Sequence, residues 1–294
     1  MSKGIVLAGG LGSRLFPLTY GVSKQLLPVY DKPMIYYPIS TLLYAGITEI
    51  LIISSAKDLP SYIKLLGNGS DFGVKFFYKE QPQPNGIAES FIIGKDFIGD
   101  DNVCLILGDN IFYGDKFNGL LEVANINLEN EKCSIFGVEV NNPKEFGVIE
   151  FDEAKNIKKI VEKPLFTNSN TIVSGLYFYT NDVVKIAQSL SYSDRGELEI
   201  SDINNLYLKK NKLNLIKIGS DISWTDTGTY NSLLKASNFF QELENKNSKK
   251  IACIEEISLE LGLIDKKKFN KICNRMKHSD YGRYLINKII HENN

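Results

Sequence analysis

Three glycines within four positions, Gly9, Gly10 and Gly12, come directly after an apolar run at 5–8. The run reads as a short buried strand. Glycine lets the backbone take positive φ and lets a ligand approach bare N–H groups. Arg14 follows at once, and Lys24 one segment later. A strand, a bare-backbone loop and two cations form a cradle for a polyphosphate. The alternative is that the glycines merely make a tight strand-to-helix turn.

Neither familiar phosphate loop fits. No lysine follows the glycines where a P-loop requires one. A dinucleotide fingerprint requires a third glycine or alanine after Gly10-x-Gly12, where Leu15 stands. Asp31 lies at about the ~20-residue distance of a ribose-binding acid. It sits between Pro28 and Pro33, however, in poor strand sequence.

The 294 residues are 43% hydrophobic, enough for one large α/β domain or two modest ones. A net charge of -1 provides no global field for nucleic acid or an anionic membrane, so an anionic substrate must meet local cations. No apolar run approaches the ~20 residues of a membrane span. The N-terminus enters a strand at once and reads as having no signal peptide. Cys104, Cys133, Cys253 and Cys273 are far apart with no C-x-x-C pair, which fits a reducing cytoplasm. The two histidines, His278 and His291, lie in the tail. Histidine-activated nucleophiles and histidine–zinc sites are therefore excluded from the main domain. Carboxylates, cations, backbone and a hard metal remain.

Strand-like and helix-like runs alternate, which predicts an α/β sheet. Strands are expected at 49–54, 74–78, 102–107, 133–140 and 214–218. Helices are expected at 33–44, 59–66, 87–94, 117–124, 182–190, 201–210 and 230–242. Three β runs, 146–151, 157–162 and 172–179, read as an insertion that builds the wall of a second subsite. Polar 244–250 reads as a linker, followed by three short amphipathic helices at 254–261, 267–277 and 281–290.

Two acids stand out. Asp109, in Leu107-Gly108-Asp109-Asn110, follows the end of a buried strand, where open α/β sheets bind ligands. Asp226, in Trp224-Thr225-Asp226-Thr227-Gly228, has a similar setting. Either acid could instead cap the next turn or helix. The loop Gln81-Pro82-x-Pro84-x-Gly86 could present an amide to a base edge, or be a stiff turn only. Glu162-Lys163-Pro164 places an acid and a base side by side at a strand end that could simply be solvated. Around Ser201 a helix capping box is possible.

The stretch G-G-x-G-S-R-L-x-P-L-T, followed by S-K-Q-L-L-P, resembles the signature of the sugar-1-phosphate nucleotidylyltransferases, and most of all their thymidylyl-transferring branch. The motifs around Asp109, Asp226, Gln81, Glu162 and Arg195-Gly196-Glu197-Leu198-Glu199-Ile200-Ser201-Asp202 resemble further signatures of that family. Segments 145–148 and 173–177 resemble its sugar-site strands, with Phe146 in place of the usual tyrosine and its hydroxyl therefore lost.

This resemblance implies a Rossmann-like three-layer αβα core with a mixed, mostly parallel sheet, a small β insertion for the sugar site and a C-terminal helical tail. It divides the chain into 1–243 (nucleotide half about 1–130, sugar-phosphate half about 131–243) and a helical assembly or regulatory segment, 244–294. It implies transfer of a thymidylyl group from dTTP to glucose 1-phosphate, with Mg²⁺ on Asp109 and Asp226. Arg14, Lys24, Asp109, Lys163 and Asp226 are the implied catalytic set. The nucleotide is placed on Leu7, Gly9, Gly10, Gly12, Ser13, Arg14, Gln25, Gln81, Pro84, Gly86 and Asp109. The sugar phosphate is placed on Gly147, Glu162, Lys163, Val173, Tyr177, Arg195 and Trp224. A cytoplasmic homotetramer inhibited by a downstream dTDP-sugar is also implied, with no nucleic-acid or membrane partner. Use of UTP or CTP, or a catalytically silent sensor on the same fold, remain alternatives.

Overall fold

The structure is a computed structural model that describes residues 2–292; Met1, Asn293 and Asn294 lie outside it, and for 289–292 only the backbone is described. In chain order the strands are β1 (Ser2–Leu7), β2 (Pro28–Val29), β3 (Lys32–Pro33), β4 (Glu49–Ser54), β5 (Lys75–Glu80), β6 (Asn102–Leu107) and β7 (Asn110–Tyr113). They continue with β8 (Cys133–Glu139), β9 (Gly147–Phe151), β10 (Ile157–Glu162), β11 (Thr171–Tyr179), β12 (Leu213–Lys217) and β13 (Ser223–Asp226).

Nine of them form one sheet in the order β10-β9-β11-β6-β1-β4-β5, with β8 beside β11 and β12 beside β8. Strands β1, β4, β5, β6, β8, β9 and β12 run one way; β10 and β11 run against them. The unbroken apolar runs are explained by burial on both faces. Ile5, Leu51, Ile53, Val103 and Leu105 point into one core, closed by Phe91, Ile98, Val183, Ile203 and Tyr207. Their neighbours Val6, Ile50, Ile52, Cys104 and Ile106 point into the other, closed by Ile39, Leu42, Tyr62, Leu121 and Leu128. Helices on both faces make the three layers.

The parallel register brings the strand ends together. Leu7 pairs with Leu107, and Gly108 N donates to Leu7 O at 2.9 Å. Ala8 N donates to Ile53 O, and Gln81 N to Ser54 O, each at 2.8 Å. The glycine loop, Asp109 and the Gln81 loop thus open on one side of the sheet.

Several expectations need correction. The run at 172–179 is not part of an insertion: β11 lies inside the sheet, paired with β6 and β8. Only the β9–β10 hairpin is peripheral. Asp226 does not follow a strand of the main sheet. It ends β13, which pairs with β7 in a separate two-stranded ribbon, Asp226 opposite Asn110. The glycine loop leads into a short 3₁₀ turn, Ser13–Leu15.

The polar 244–250 segment is no linker. The helix Tyr230–Asn247 runs through its first half, and Glu244 is buried. Lys32 Nζ donates to Glu244 at 2.9 Å, as does Ile251 N. Polar composition failed as a guide because this carboxylate is neutralised inside the fold. Of the tail helices Ile254–Glu260, Lys266–Arg275 and Asp280–Glu292, the first inserts Ile254 and Ile257 into the main core. Phe269, Ile272 and Leu285 form a small core of their own. All four cysteines are free and buried. No helix among the described residues is long and apolar enough to cross a membrane.

Candidate active site

Two hollows adjoin at the strand ends and share Ile87, Leu107 and Asp109. The smaller is lined by Leu7, Gly9, Gly10, Gln25, Gln81, Pro84, Gly86 and Glu197 besides. The larger is lined by Arg14, Asn110, Gly147, Glu162, Lys163, Val173, Tyr177, Trp224 and Asp226, among others. Most of the implied nucleotide residues therefore gather in one hollow and most of the implied sugar residues in the other; Arg14, implied for the nucleotide, lines the larger hollow instead. Neither hollow is lined by a histidine.

Some residues of the sequence reading stand elsewhere. Gly12 (φ +59) and Ser13 line neither hollow; Thr19 Oγ1 donates to Gly12 O at 2.8 Å and ties the loop down. Arg195 lines neither. It is exposed and is held by Glu197 at 2.7 Å and by Glu162 and Glu199 at 3.5 Å. Lys163 follows β10 with φ +40 and is exposed at the mouth.

The acids meet where the hollows join. Lys24, only 8% exposed, donates to Asp109 Oδ2 at 2.5 Å and stands 3.8 Å from Asp226 Oδ1. Asn110 Nδ2 donates to Asp109 Oδ1 at 3.0 Å. Burial raises the Asp109 carboxyl, but the Lys24 ammonium outweighs it and holds the group below the usual carboxylate range. Asp226 shows the opposite balance. Burial, and then the Asp109 charge, push it up to about 6 against the pull of Lys24 and Arg14.

Neither acid caps a helix. Asp109 is followed by β7, and the helix after Asp226 is capped by Thr229, which exchanges a capping box with Ser232. Thr227 Oγ1 donates to Asp109 O at 2.9 Å and pins the two motifs together. Arg14 reaches the pair from the glycine loop. A Cβ on Gly228 would lie 2.8 Å from its Nη2 and 2.9 Å from Asp226 Oδ2. Glu145 anchors the same guanidinium at 3.0 Å.

The walls are also organised. Trp224 Nε1 donates to Asn110 Oδ1 at 2.8 Å and Ser174 O at 3.0 Å. Phe146 meets the Trp224 ring edge-on at 5.7 Å, so it serves packing. Ser201 Oγ donates to Glu162 Oε2 at 2.6 Å, and the helix Ile200–Lys209 has no side-chain cap, so the capping box around Ser201 is absent. In the smaller hollow Gln25 Oε1 accepts from Ser23 at 2.8 Å, and Gln81 Nε2 donates to Glu89 at 2.8 Å. Lys144 and Glu89 were not named from sequence; Glu145, Asn110 and Ser201 stood inside quoted motifs, Ser201 as a capping candidate, without a role in the site.

The Mg²⁺ implied by the resemblance fits this donor set. Asp109 and Asp226 offer hard oxygens around one ammonium, and burial, followed by the neighbouring Asp109 charge, makes the ionised Asp226 costly without a further cation. No third His, Cys, Asp or Glu completes a cage among the described residues. Mg²⁺ characteristically takes one or two carboxylates and fills its octahedron with substrate phosphates and water.

A family model described as nucleotidyl transferase matches residues 3–242. A curated glucose-1-phosphate thymidylyltransferase of Neisseria meningitidis is 49% identical over 284 residues, 97% of this chain and 98% of that one. That of Mycolicibacterium smegmatis is 46% identical over 285 residues, 97% and 98% respectively. Among solved structures, one described as a Bacillus anthracis glucose-1-phosphate thymidylyltransferase with a sucrose superposes with a TM-score of 0.74 at 40% identity, covering 81% of this chain and 95% of that one. A UDP-glucose pyrophosphorylase with UDP-glucose reaches 0.73 at 22% identity over 83% and 100%, a likeness of fold alone. On the family match and these full-length relatives, the chain belongs to the nucleotidyl transferase family and, within it, to the glucose-1-phosphate thymidylyltransferase group.

Proposed function

We propose that the protein transfers a thymidylyl group from dTTP to glucose 1-phosphate, forming dTDP-glucose and pyrophosphate. The observation that carries this reading is the junction of two hollows at Asp109, with Lys24 behind it and Arg14 beside Asp226. A nucleotide in the smaller hollow and a sugar phosphate in the larger would meet at that point.

An oxygen of the sugar phosphate attacks the α-phosphorus of dTTP in line, the new P–O bond forms, and the bond to the pyrophosphate leaving group breaks. The attacking oxygen is already anionic, so no general base is required, in keeping with hollows that contain no histidine. What the protein must supply is alignment and positive charge. Arg14 and Lys24 provide it on the triphosphate side. Lys163 at the mouth, Lys144 on the same wall and Arg195 beside Glu162 provide it on the sugar side. Mg²⁺ on Asp109 and Asp226 would neutralise phosphate charge. The reading extends to a cytoplasmic homotetramer restrained by a dTDP-sugar, with the tail helices serving assembly.

The test is pyrophosphate release from glucose 1-phosphate with dTTP, UTP or dCTP, with and without Mg²⁺. Release that needs both substrates and favours dTTP over dCTP is expected. Absence of release with every triphosphate overturns the assignment.

A further inference from the structure

Gln81 carries the one side-chain amide on the Pro-stiffened wall of the smaller hollow, and its orientation is not free. Its Nε2 donates to Glu89 Oε2 at 2.8 Å and faces Gly86 O at 3.3 Å. Both partners are acceptors only, so the NH₂ group must point to them and the carbonyl oxygen away. The other Glu89 oxygen accepts from Asn85 Nδ2 at 2.8 Å. One carboxylate therefore straps two of the three side-chain amides of the loop 81–86, those of Gln81 and Asn85. Gln81 Oε1 is left against the glycine loop, so close that a Cβ on Gly9 would stand 2.8 Å from it. Among the described residues no donor is bonded to this oxygen.

We propose that Glu89 is a positioning residue for base choice: it turns the Gln81 carbonyl oxygen toward the nucleotide, so that the site demands an N–H at position 3 of a pyrimidine. This rests on the function proposed above. Thymine and uracil carry that N–H, whereas cytosine presents a lone pair there and would set acceptor against acceptor. Glu89 lies in the helix Glu89–Ile93 and lines neither hollow, so it acts through Gln81.

Without the carboxylate the amide can rotate and offer its NH₂ to cytosine. The experiment measures kcat/KM for dTTP, dUTP and dCTP with glucose 1-phosphate in the wild-type protein, Glu89→Ala and Glu89→Gln. In Glu89→Ala the dTTP:dCTP ratio is expected to fall about tenfold or more, through the KM of dTTP more than through kcat. The dTTP:dUTP ratio should stay within about twofold, because both bases carry the N–H. In Glu89→Gln the new carbonyl can still take the Gln81 amide, so most of the dCTP discrimination should return. A folded Glu89→Ala protein with an unchanged dTTP:dCTP ratio, or with both ratios falling together, overturns the inference alone. A wild-type protein without preference for dTTP over dCTP overturns the function reading and this inference with it. If Glu89→Ala does not fold, the wild-type protein still decides. With 3-methylthymidine triphosphate, kcat/KM should drop by about a hundredfold or more, and comparable use of the two overturns the inference.

Discussion

Lys24 donates to Asp109 across 2.5 Å in a part-buried contact and leaves Asp226, 3.8 Å away on the same ammonium, incompletely balanced. Arg14 beside Asp226 is itself paired with Glu145, so two cations among three carboxylates leave a net negative charge in a partly dry site. That charge is the feature a phosphate-bound cation would relieve, and it costs the protein stability while the site is empty of substrate.

Asp226→Asn is accordingly expected to stabilise the protein at neutral pH while crippling catalysis. The Asp226 carboxyl is raised from 3.8 in the unfolded chain to about 6 in the fold. Its ionised form is therefore disfavoured in the folded state. The penalty is absent below about pH 4, grows as pH rises, and is complete above about pH 6. Removing the charge should give about 2–3 kcal/mol at pH 7.5 and almost nothing at pH 4. Thermal melts at both pH values check this; a variant less stable than wild type at pH 7.5 contradicts it. Turnover should fall about a hundredfold or more, since the anionic ligand is lost.

Arg14→Ala should lower turnover by about 10²–10³ with little change in melting temperature. The guanidinium is half-exposed and, among the described residues, its ion pair is with the equally exposed Glu145, so its worth to folding is small. Its worth to the reaction is charge delivered beside Asp226 as negative charge develops. Arg14→Lys should recover only part, because an ammonium cannot span Glu145 and the phosphate as a planar fork does. Pyrophosphate-release kinetics on folded variants decide; near-normal turnover of Arg14→Ala would exclude the role.

Gly86→Ala should cost more than its surface position suggests. The residue has φ +104, and an added Cβ would lie 2.4 Å from Leu198 O, a backbone atom that cannot swing aside. Leu198 N donates to Asn85 O at 2.7 Å, so the clash displaces the loop bearing Gln81. Expected are a raised KM for the nucleotide, a smaller change in KM for the sugar phosphate, and a stability loss of about 2 kcal/mol. Equal KM values in variant and wild type would refute the bracing of this loop on Leu198.

Much of this was legible in the chain because the relevant signals are local. Runs 49–54, 59–66, 102–107 and 157–162 coincide with elements because 49–54 and 102–107 hold unbroken apolar runs of strand length and the other two carry an apolar pattern of their own. The motifs around the glycine loop, Asp109 and Gln81 fall on one side of the sheet because parallel strands end together. The β7–β13 ribbon was not legible: four residues a side, paired across a long stretch of chain, carry no period of their own. Arg195 shows what a motif leaves open. Its position in a signature says nothing of Glu162, Glu197 and Glu199, the three carboxylates that hold its guanidinium. Glu244 shows the limit of composition, since burial of a carboxylate depends on cations brought from elsewhere.

That last case makes a prediction about where the catalytic unit ends. A sequence boundary near 243 suggests that a shortened chain could fold and turn over. The structure gives Glu244 a buried place against Lys32, itself 3% exposed, and Lys250 pairs with both Asp31 and Glu244. Ile254 and Ile257 fill the core above the helix Tyr36–Tyr44, and Tyr36 OH donates to the buried Glu255. Ending the chain at 243 would leave Lys32 buried with Asp31 alone and open an apolar face on the main sheet's cover. Breaking a buried ion pair costs about 3–5 kcal/mol, and each lost buried isoleucine adds about 2 kcal/mol or more. The sum is comparable with the whole stability of a domain. The truncated protein is therefore expected to be insoluble or to lack a cooperative thermal transition. Lys32→Met in the full chain, which leaves Glu244 partnered by Lys250, should remain folded with a lowered melting temperature. A truncated chain that melts cooperatively near the wild-type temperature would show that the tail is an appendage and not part of the core.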